Sequence, residues 1–231
     1  MGRLKMKKVQ EHFDSEAKYY DNLILTLIPY YDQMTDVLVD GLPFNEKKDL
    51  KILDLGCGTG NISQKIKIRF PTAHITCVDL SENMLNIAKN KLSNYSNITY
   101  KLADFQDISL NGVYDAVVSS LAMHHLESDS DKKKLYEKIF NLLSDDGVFY
   151  NADVVLGSSD YLQNMYIKKW KEFMAKNHSE EDIENKWMPT HRAEDNPSKM
   201  SDHIKWLDDA GFKQVDVLWK YYNYGVYGGV K

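Results

Sequence analysis

Apolar positions recur every three or four residues from Val9 to Leu42: Phe13, Ala17, Tyr20, Leu23 and Leu27, then Met34, Val37, Leu38 and Leu42. That spacing predicts amphipathic helix, and Pro29 divides it into two helices because proline cannot continue the backbone ladder. The pattern then changes. Behind the charged residues Lys47, Lys48 and Asp49, the run Ile52, Leu53 and Leu55 suits a strand buried on both faces of a parallel sheet. Further strands are predicted at 74–80, 98–102, 114–120 and 148–155. Helical stretches at 61–69, 83–92 and 131–143 alternate with them, and Ser81 is placed to cap the second of these. Strands alternating with helices predict an α/β fold. Asp145-Asp146-Gly147 reads as a turn. Residues 157–187 then read as helices rich in aromatic side chains, and Met188 to Pro197 as irregular. A last helix, 201–210, ends on Gly211 as a C-cap, and 212–219 with 222–230 make a closing pair of strands.

Composition narrows this picture in three ways. The net charge of −5 gives no electrostatic footprint for nonspecific nucleic-acid binding. The two cysteines, Cys57 and Cys77, read as small buried residues, which makes a reducing cytoplasm the expected compartment. No apolar run approaches membrane-spanning length, the basic N-terminus lacks the apolar segment of a signal peptide, and Met6 breaks the myristoylation pattern. The abundant tyrosines point to an aromatic-lined cleft.

The chemistry concentrates in Lys51 to Gly60, Lys-Ile-Leu-Asp-Leu-Gly-Cys-Gly-Thr-Gly. Glycines where a strand hands over to a helix permit positive φ and let a ligand approach the main chain. The spacing G-x-G-x-G, with Asn61 where a dinucleotide fingerprint carries its last Gly or Ala, argues against a pyrophosphate. The carboxylate of Asp54 beside the loop suits a ligand with a cationic amine. Asp79 ends the second strand, about 20 residues on, where nucleotide-binding α/β domains place an acid on ribose hydroxyls.

This stretch resembles motif I of the class I S-adenosylmethionine (SAM) methyltransferases, an acidic residue followed by Leu-Gly-x-Gly-x-Gly. Phe13-Asp14-Ser15-Glu16-Ala17 with Tyr19-Tyr20-Asp21 resembles the "F-D-x-x-A-x-x-Y-D" opening of the small-molecule enzymes, and Leu121 to Leu126, Leu-Ala-Met-His-His-Leu, resembles their motif IV. The resemblance implies a Rossmann-like α/β fold: a seven-stranded, mostly parallel sheet with an antiparallel last strand, helices on both faces and a helical cap. It implies SAM as cofactor, held by Tyr31, Asp54, Gly56, Cys57, Gly58, Gly60, Asp79, Leu80, Met84, Asp104, Phe105 and Ser120. Asp104 would face the adenine amino group, with Asp107 close enough to substitute. Tyr31 matches the family's cofactor-facing tyrosine after a proline.

The expected activity is methyl transfer to a small-molecule acceptor by in-line displacement at sulfonium. His124 and His125 have the location and the ordinary pKa for a general base where the acceptor must lose a proton. No metal is expected, because consecutive histidines do not both aim well at one ion. Residues 1–45 are expected to form a lid and 46–231 the SAM-binding domain, with a cap insertion at about 157–200. Tyr19, Tyr20, Tyr30, Tyr31, Tyr166 and Trp170 are expected to close over one mouth of the sheet. A tRNA base stacked on such a cover stays open, as does a homodimer.

Three alternatives stand beside this reading. An NAD-dependent oxidoreductase is disfavoured by Asn61 and the missing second mononucleotide half. A non-catalytic SAM-binding module is compatible with the motifs. Ala210-Gly211-Phe212, Leu218-Trp219 and Asn223-Tyr224-Gly225, with Pro29-Tyr30-Tyr31, are similar to the carboxy-SAM synthases linked to tRNA modification. Those enzymes hold the added carboxylate with an arginine before the last helix, and Arg192 lies in that region.

Overall fold

Strand β1 (Lys51–Leu55) is an interior strand of a seven-stranded sheet, third from one edge, buried along Ile52 to Leu55 as its apolar run demands. The computed structural model describes residues 2–45, 49–106 and 112–231. Lys47, Lys48 and Asp107 lie outside them. The other strands are β2 (His74–Asp79), β3 (Ile98–Leu102), β4 (Tyr114–Ser120), β5 (Leu143–Val154), β6 (Lys213–Tyr221) and β7 (Tyr224–Val230), in the order β3-β2-β1-β4-β5-β7-β6. β1 pairs parallel with β2 and β4, while β7 runs antiparallel to both β5 and β6. The mostly parallel sheet with its reversed last strand is therefore as expected.

Alternate residues of the central strands feed two cores. Ile52, Ala116 and Val118 pack with Met34 and Leu38 of α3 (Tyr31–Asp40) and with Ile62 and Ile66 of α4 (Asn61–Arg69). Leu53, Leu55 and Val117 pack with Leu135 and Ile139 of α6 (Asp129–Leu142) and Leu207 of α10 (Met200–Ala210). Each fully buried side chain of this size contributes roughly 1.5–3 kcal/mol, so the strand ends beneath the site are rigid. Helix α5 (Glu82–Lys91) starts at Ser81, whose Oγ accepts from the Met84 amide at 3.1 Å.

Three sequence expectations change. The N-terminal helical pattern breaks twice, into α1 (Gly2–Glu16) and α2 (Tyr20–Leu27) around a 3₁₀ turn at Ala17–Tyr19, and again near Pro29. The turn expected at 145–147 lies inside β5, with Asp146 at φ 62° taking up the irregularity. The stretch expected to be irregular from Met188 is helical as far as Glu194. Helix α7 (Asp160–Met174) is followed by the short α8 (Glu180–Asp182), one π-helical turn (Ile183–Trp187) and α9 (Met188–Glu194). Proline is tolerated in the first turn of a helix, which is where Pro189 falls. Leu156 and Ser198, at the two ends of this segment, meet through an amide hydrogen bond of 2.9 Å. Among the described residues no helix is long and apolar enough to cross a membrane.

Candidate active site

The strand order reverses between β1 and β4, which opens a crevice at their carboxyl ends. Gly56 to Gly60 leaves β1 there, and Leu121 to Leu126 leaves β4. Leu121 has φ 49°, a strained backbone for a leucine, and such strain clusters at functional sites.

Two cavities meet at this point. The first, an open cleft whose empty space is about 560 Å³ with its solvent-filled mouth included, as is the figure for the second below, is lined by Gly56, Gly58, Asp79, Leu80, Met84, Phe105 and Ser120, and is roofed by Val9, Gln10, Phe13 and Tyr20. A smaller pocket beside the glycine loop adds Tyr31, Cys57, Thr59 and Asn61. The second cavity, about 750 Å³, lies between α1, α2 and the segment 160–195, with Leu23, Ile24, Leu27, Val154, Trp170 and Trp187 as apolar wall and His12, Glu16, His124, His191, Glu194 and Asp195 as polar wall. Phe13, Tyr20, Leu121 and His125 line both large cavities.

Most of the sequence-derived cofactor set comes together around the first cavity and its side pocket, but for differing reasons. Asp79 accepts from the Gly58 amide at 2.7 Å and the Ser81 amide at 2.9 Å. Burial raises its pKa, and these amide bonds oppose the rise. Gly58 faces open space, whereas a Cβ on Gly56 would lie 2.3 Å from that of Ala122, and one on Gly60 would press on Ala88 and Leu92. The Ser120 hydroxyl is buried without a partner among the described residues, and Ser120 lines the first cavity. The Tyr31 hydroxyl accepts from Asn61 Nδ2 at 3.3 Å, and burial pushes its pKa up to about 12.

Asp54 departs from expectation. It is fully buried and bound by the Ser63 hydroxyl at 2.6 Å, and burial raises its pKa to about 7. It lines none of the three pockets, so the carboxylate that precedes the loop braces α4 against β1 and does not face a ligand amine. Asp104 accepts from the Gln106 amide at 2.8 Å and is absent from the cavity lining, which its neighbour Phe105 supplies. Of the aromatic cover, Tyr20, Tyr31 and Trp170 line the pockets. Tyr19 and Tyr30 are exposed, and Tyr166 packs on Tyr222.

The N-terminal opening motif acts through its aspartates. Asp14 accepts from the Ser81 hydroxyl at 2.5 Å, which ties α1 to the start of α5. Asp21 accepts from Thr59 at 2.6 Å, Asn61 at 3.0 Å and Lys91 at 2.6 Å, which ties α2 to the glycine loop. The far side is tied as well: Trp170 Nε1 donates to the Leu27 carbonyl at 2.7 Å, and His12 meets Glu194 at 2.9 Å. Hydrogen bonds with Glu16 and Glu194 raise the His12 pKa to about 10.

The two adjacent histidines are unlike each other. Burial opposes charge on His124, but the carboxylates of Asp153, at 2.5 Å from Nδ1, and Asp195 overcome this and raise its pKa to about 9. His125 is pushed down to about 4 by burial and by its charged neighbour. Its Nε2 is buried without a hydrogen-bond partner among the described residues. The 3₁₀ turn Met123–His125 sets the rings 4.0 Å apart, and both approach Asp195. Adjacent histidines thus converge here, contrary to the argument from spacing. Asp153, His191, Glu194 and Asp195 went unnoticed in the sequence because they lie 28 to 71 residues from the histidines, at the end of β5 and in the cap, with no motif of their own.

A methyltransferase domain match covers residues 52–147, the span that carries the glycine loop, Asp79 and both histidines. Residues 52–147 are thus similar to a methyltransferase domain. Over 142 residues the chain is 32% identical to a malonyl-[acyl-carrier protein] O-methyltransferase of Acetivibrio thermocellus, covering 62% of the chain and 47% of that relative. The chain thus spans about half the length of that relative. It is 25% identical to a carboxy-SAM synthase of Nautilia profundicola over 94% of the chain and 93% of the relative. Its fold matches that of the magnesium protoporphyrin IX methyltransferase of Synechocystis, solved with bound SAM, with a TM-score of 0.66 at 17% identity over 98% of this chain and 97% of that one.

Proposed function

We propose that this chain transfers a methyl group from SAM, seated in the first cavity, to a small-molecule acceptor in the second. The observation that carries this reading is the shared wall: the cavity over the glycine loop and the cavity under the cap meet at Leu121 and His125. In-line displacement needs the acceptor, methyl carbon and sulfur aligned, which two abutting cavities supply. His125 is the residue in place to touch the acceptor, and His124, fixed by Asp153, is a positioning residue for it. The acceptor is small and mostly apolar, because the second cavity is walled by Leu23, Ile24, Leu27 and Trp170. The buried Nε1 of Trp187, unpartnered among the described residues, adds a donor for one acceptor atom on it.

SAM would be held by Asp79 on the ribose, by the amides around Gly56 and Gly58, by Leu80, Met84 and Phe105 around the adenine, and by Tyr31, Cys57, Gly60 and Ser120 near the methionine portion. Residues 1–45 serve as the lid and 157–200 as the cap of a domain spanning 46–231, the lid being latched by Asp14 and Asp21. A charge-assisted contact from Asp79 is worth about 1.5–3 kcal/mol. Asp79→Ala is accordingly expected to weaken SAM binding ten- to a hundredfold by calorimetry. Unchanged affinity would take Asp79 out of the site.

A second reading, formation or use of carboxy-SAM, is favoured by the full-length similarity to carboxy-SAM synthases. Against it, Arg192 is exposed and lines neither large cavity. The test of both is the mass of the ligand retained on purified protein, followed by methylation of a panel of small hydroxyl and amine compounds. SAM or S-adenosylhomocysteine with a methylated product is the expected outcome. A ligand heavier by a carboxyl group would reverse the choice.

A further inference from the structure

One ring nitrogen from each of His124 and His125 and a carboxylate oxygen of Asp195 lie within 4.8 Å of one another. The closest approaches are unusual for hydrogen bonds. His124 Nε2 is 3.5 Å and His125 Nδ1 is 3.4 Å from Asp195 Oδ1. Both exceed the 2.7–3.2 Å of an ordinary N–H···O contact. Donor atoms about 2.1 Å from a tetrahedrally coordinated ion stand about 3.4 Å from each other, so the spacing suits the edges of a coordination shell.

The surroundings agree. Metal-ligating histidines donate their other ring N–H to a carboxylate or carbonyl. His124 meets Asp153 through Nδ1 at 2.5 Å, whereas His125 Nδ1, the nitrogen that faces Asp195, is itself 3.3 Å from the Glu194 carbonyl, so His124 is the ring held in this way. Asp195 is steadied in turn by His191 Nδ1 on Oδ2 at 2.6 Å. Both histidines are buried, and His125 Nε2 has no partner among the described residues. All three groups line the second cavity, so a further coordination position opens onto the acceptor.

We propose that His124, His125 and Asp195 form a binding site for a divalent transition metal of the zinc or iron(II) type, which accepts two imidazoles and one carboxylate and leaves open positions. Its place rests on the reading of the second cavity as the acceptor site. There the ion would coordinate an acceptor hydroxyl and promote loss of its proton to water. The oxygen lone pair then forms the bond to the methyl carbon, the carbon–sulfur bond breaks, and its electron pair stays on sulfur as S-adenosylhomocysteine.

The test is titration of chelator-treated full-length protein with Co²⁺ and Zn²⁺, without SAM or acceptor. One ion per chain, dissociation in the micromolar range or tighter, and intensified visible Co²⁺ bands from histidine ligation are expected. Asp195→Asn should weaken binding at least tenfold, while His74→Gln, a change at an exposed histidine on β2, should not. A Co²⁺ spectrum equal to that of the free ion would overturn the site, as would equal weakening by both variants. The wild-type spectrum decides even where Asp195→Asn fails to fold. Failure of this titration leaves methyl transfer standing, because ligand retention and turnover are measured separately.

Discussion

Gly58→Val is expected to weaken SAM binding by at least about a hundredfold, roughly 2.7 kcal/mol, while the far-ultraviolet circular dichroism stays that of the wild type. Gly58 has φ +53°, and a Cβ built on it meets no atom within 4 Å among the described residues. The folded chain has room for a side chain there, and the space it would take is the ligand's. A β-branched residue at positive φ also strains the loop by about 1–3 kcal/mol, which pulls the amide off Asp79. The neighbouring glycines serve a different need. Gly56 and Gly60 pack against Ala122 and Ala88, so substitutions there should lower stability first and binding as a consequence. Calorimetry beside a thermal melt separates these outcomes. Near-wild-type SAM affinity in Gly58→Val would show that the loop does not cradle the cofactor.

Asp153→Ala is expected to produce the largest loss of stability of any single change near the site. Asp153 is almost fully buried and accepts from His124 Nδ1 at 2.5 Å, the His124 amide at 3.1 Å, the Val154 amide at 2.8 Å and Asn151 Nδ2 at 3.2 Å. Removing one partner of a buried pair leaves the other uncompensated and costs about 3–5 kcal/mol, or roughly 10 °C in melting temperature for a chain of this size. The pH dependence follows from the directions of the shifts. His124 is raised from 6.5 to about 9, so its share of stability is complete below 6.5 and is lost as pH rises through about 9. Asp153 is lowered, so its share is present above the ordinary carboxylate range and is lost on acidification below it. Wild type should therefore lose stability on the alkaline side, and Asp153→Ala should show less of that loss. Melts across pH check this, and identical alkaline slopes would remove the pair from the account.

The sheet was legible in the sequence because its evidence is local. Runs such as Ile52 to Leu55 and Val117-Val118 carry burial on both faces, and Gly56 to Gly60 announces the backbone conformations that a strand-to-helix turn requires. The elements that went astray are those whose form depends on what they pack against. Residues 188–194 look irregular by composition, yet they complete a helix under the contacts of Trp187 and Met188 with the core. Asp54 looked like a ligand for an amine because it precedes the loop; the pleat of β1 turns it instead toward Ser63 of α4.

By itself, then, the sequence determined the sheet, the glycine cradle, the placing of Asp79 and the presence of two histidines after β4, since each is set by propensity and spacing within a few residues. Only the tertiary structure decided what those histidines are. Asp153 from β5 and Asp195 from the cap push the pKa of His124 up, while burial pushes that of His125 down. Burial and the field of distant carboxylates set a side chain's protonation, and neither quantity is written in the residues beside it in the chain.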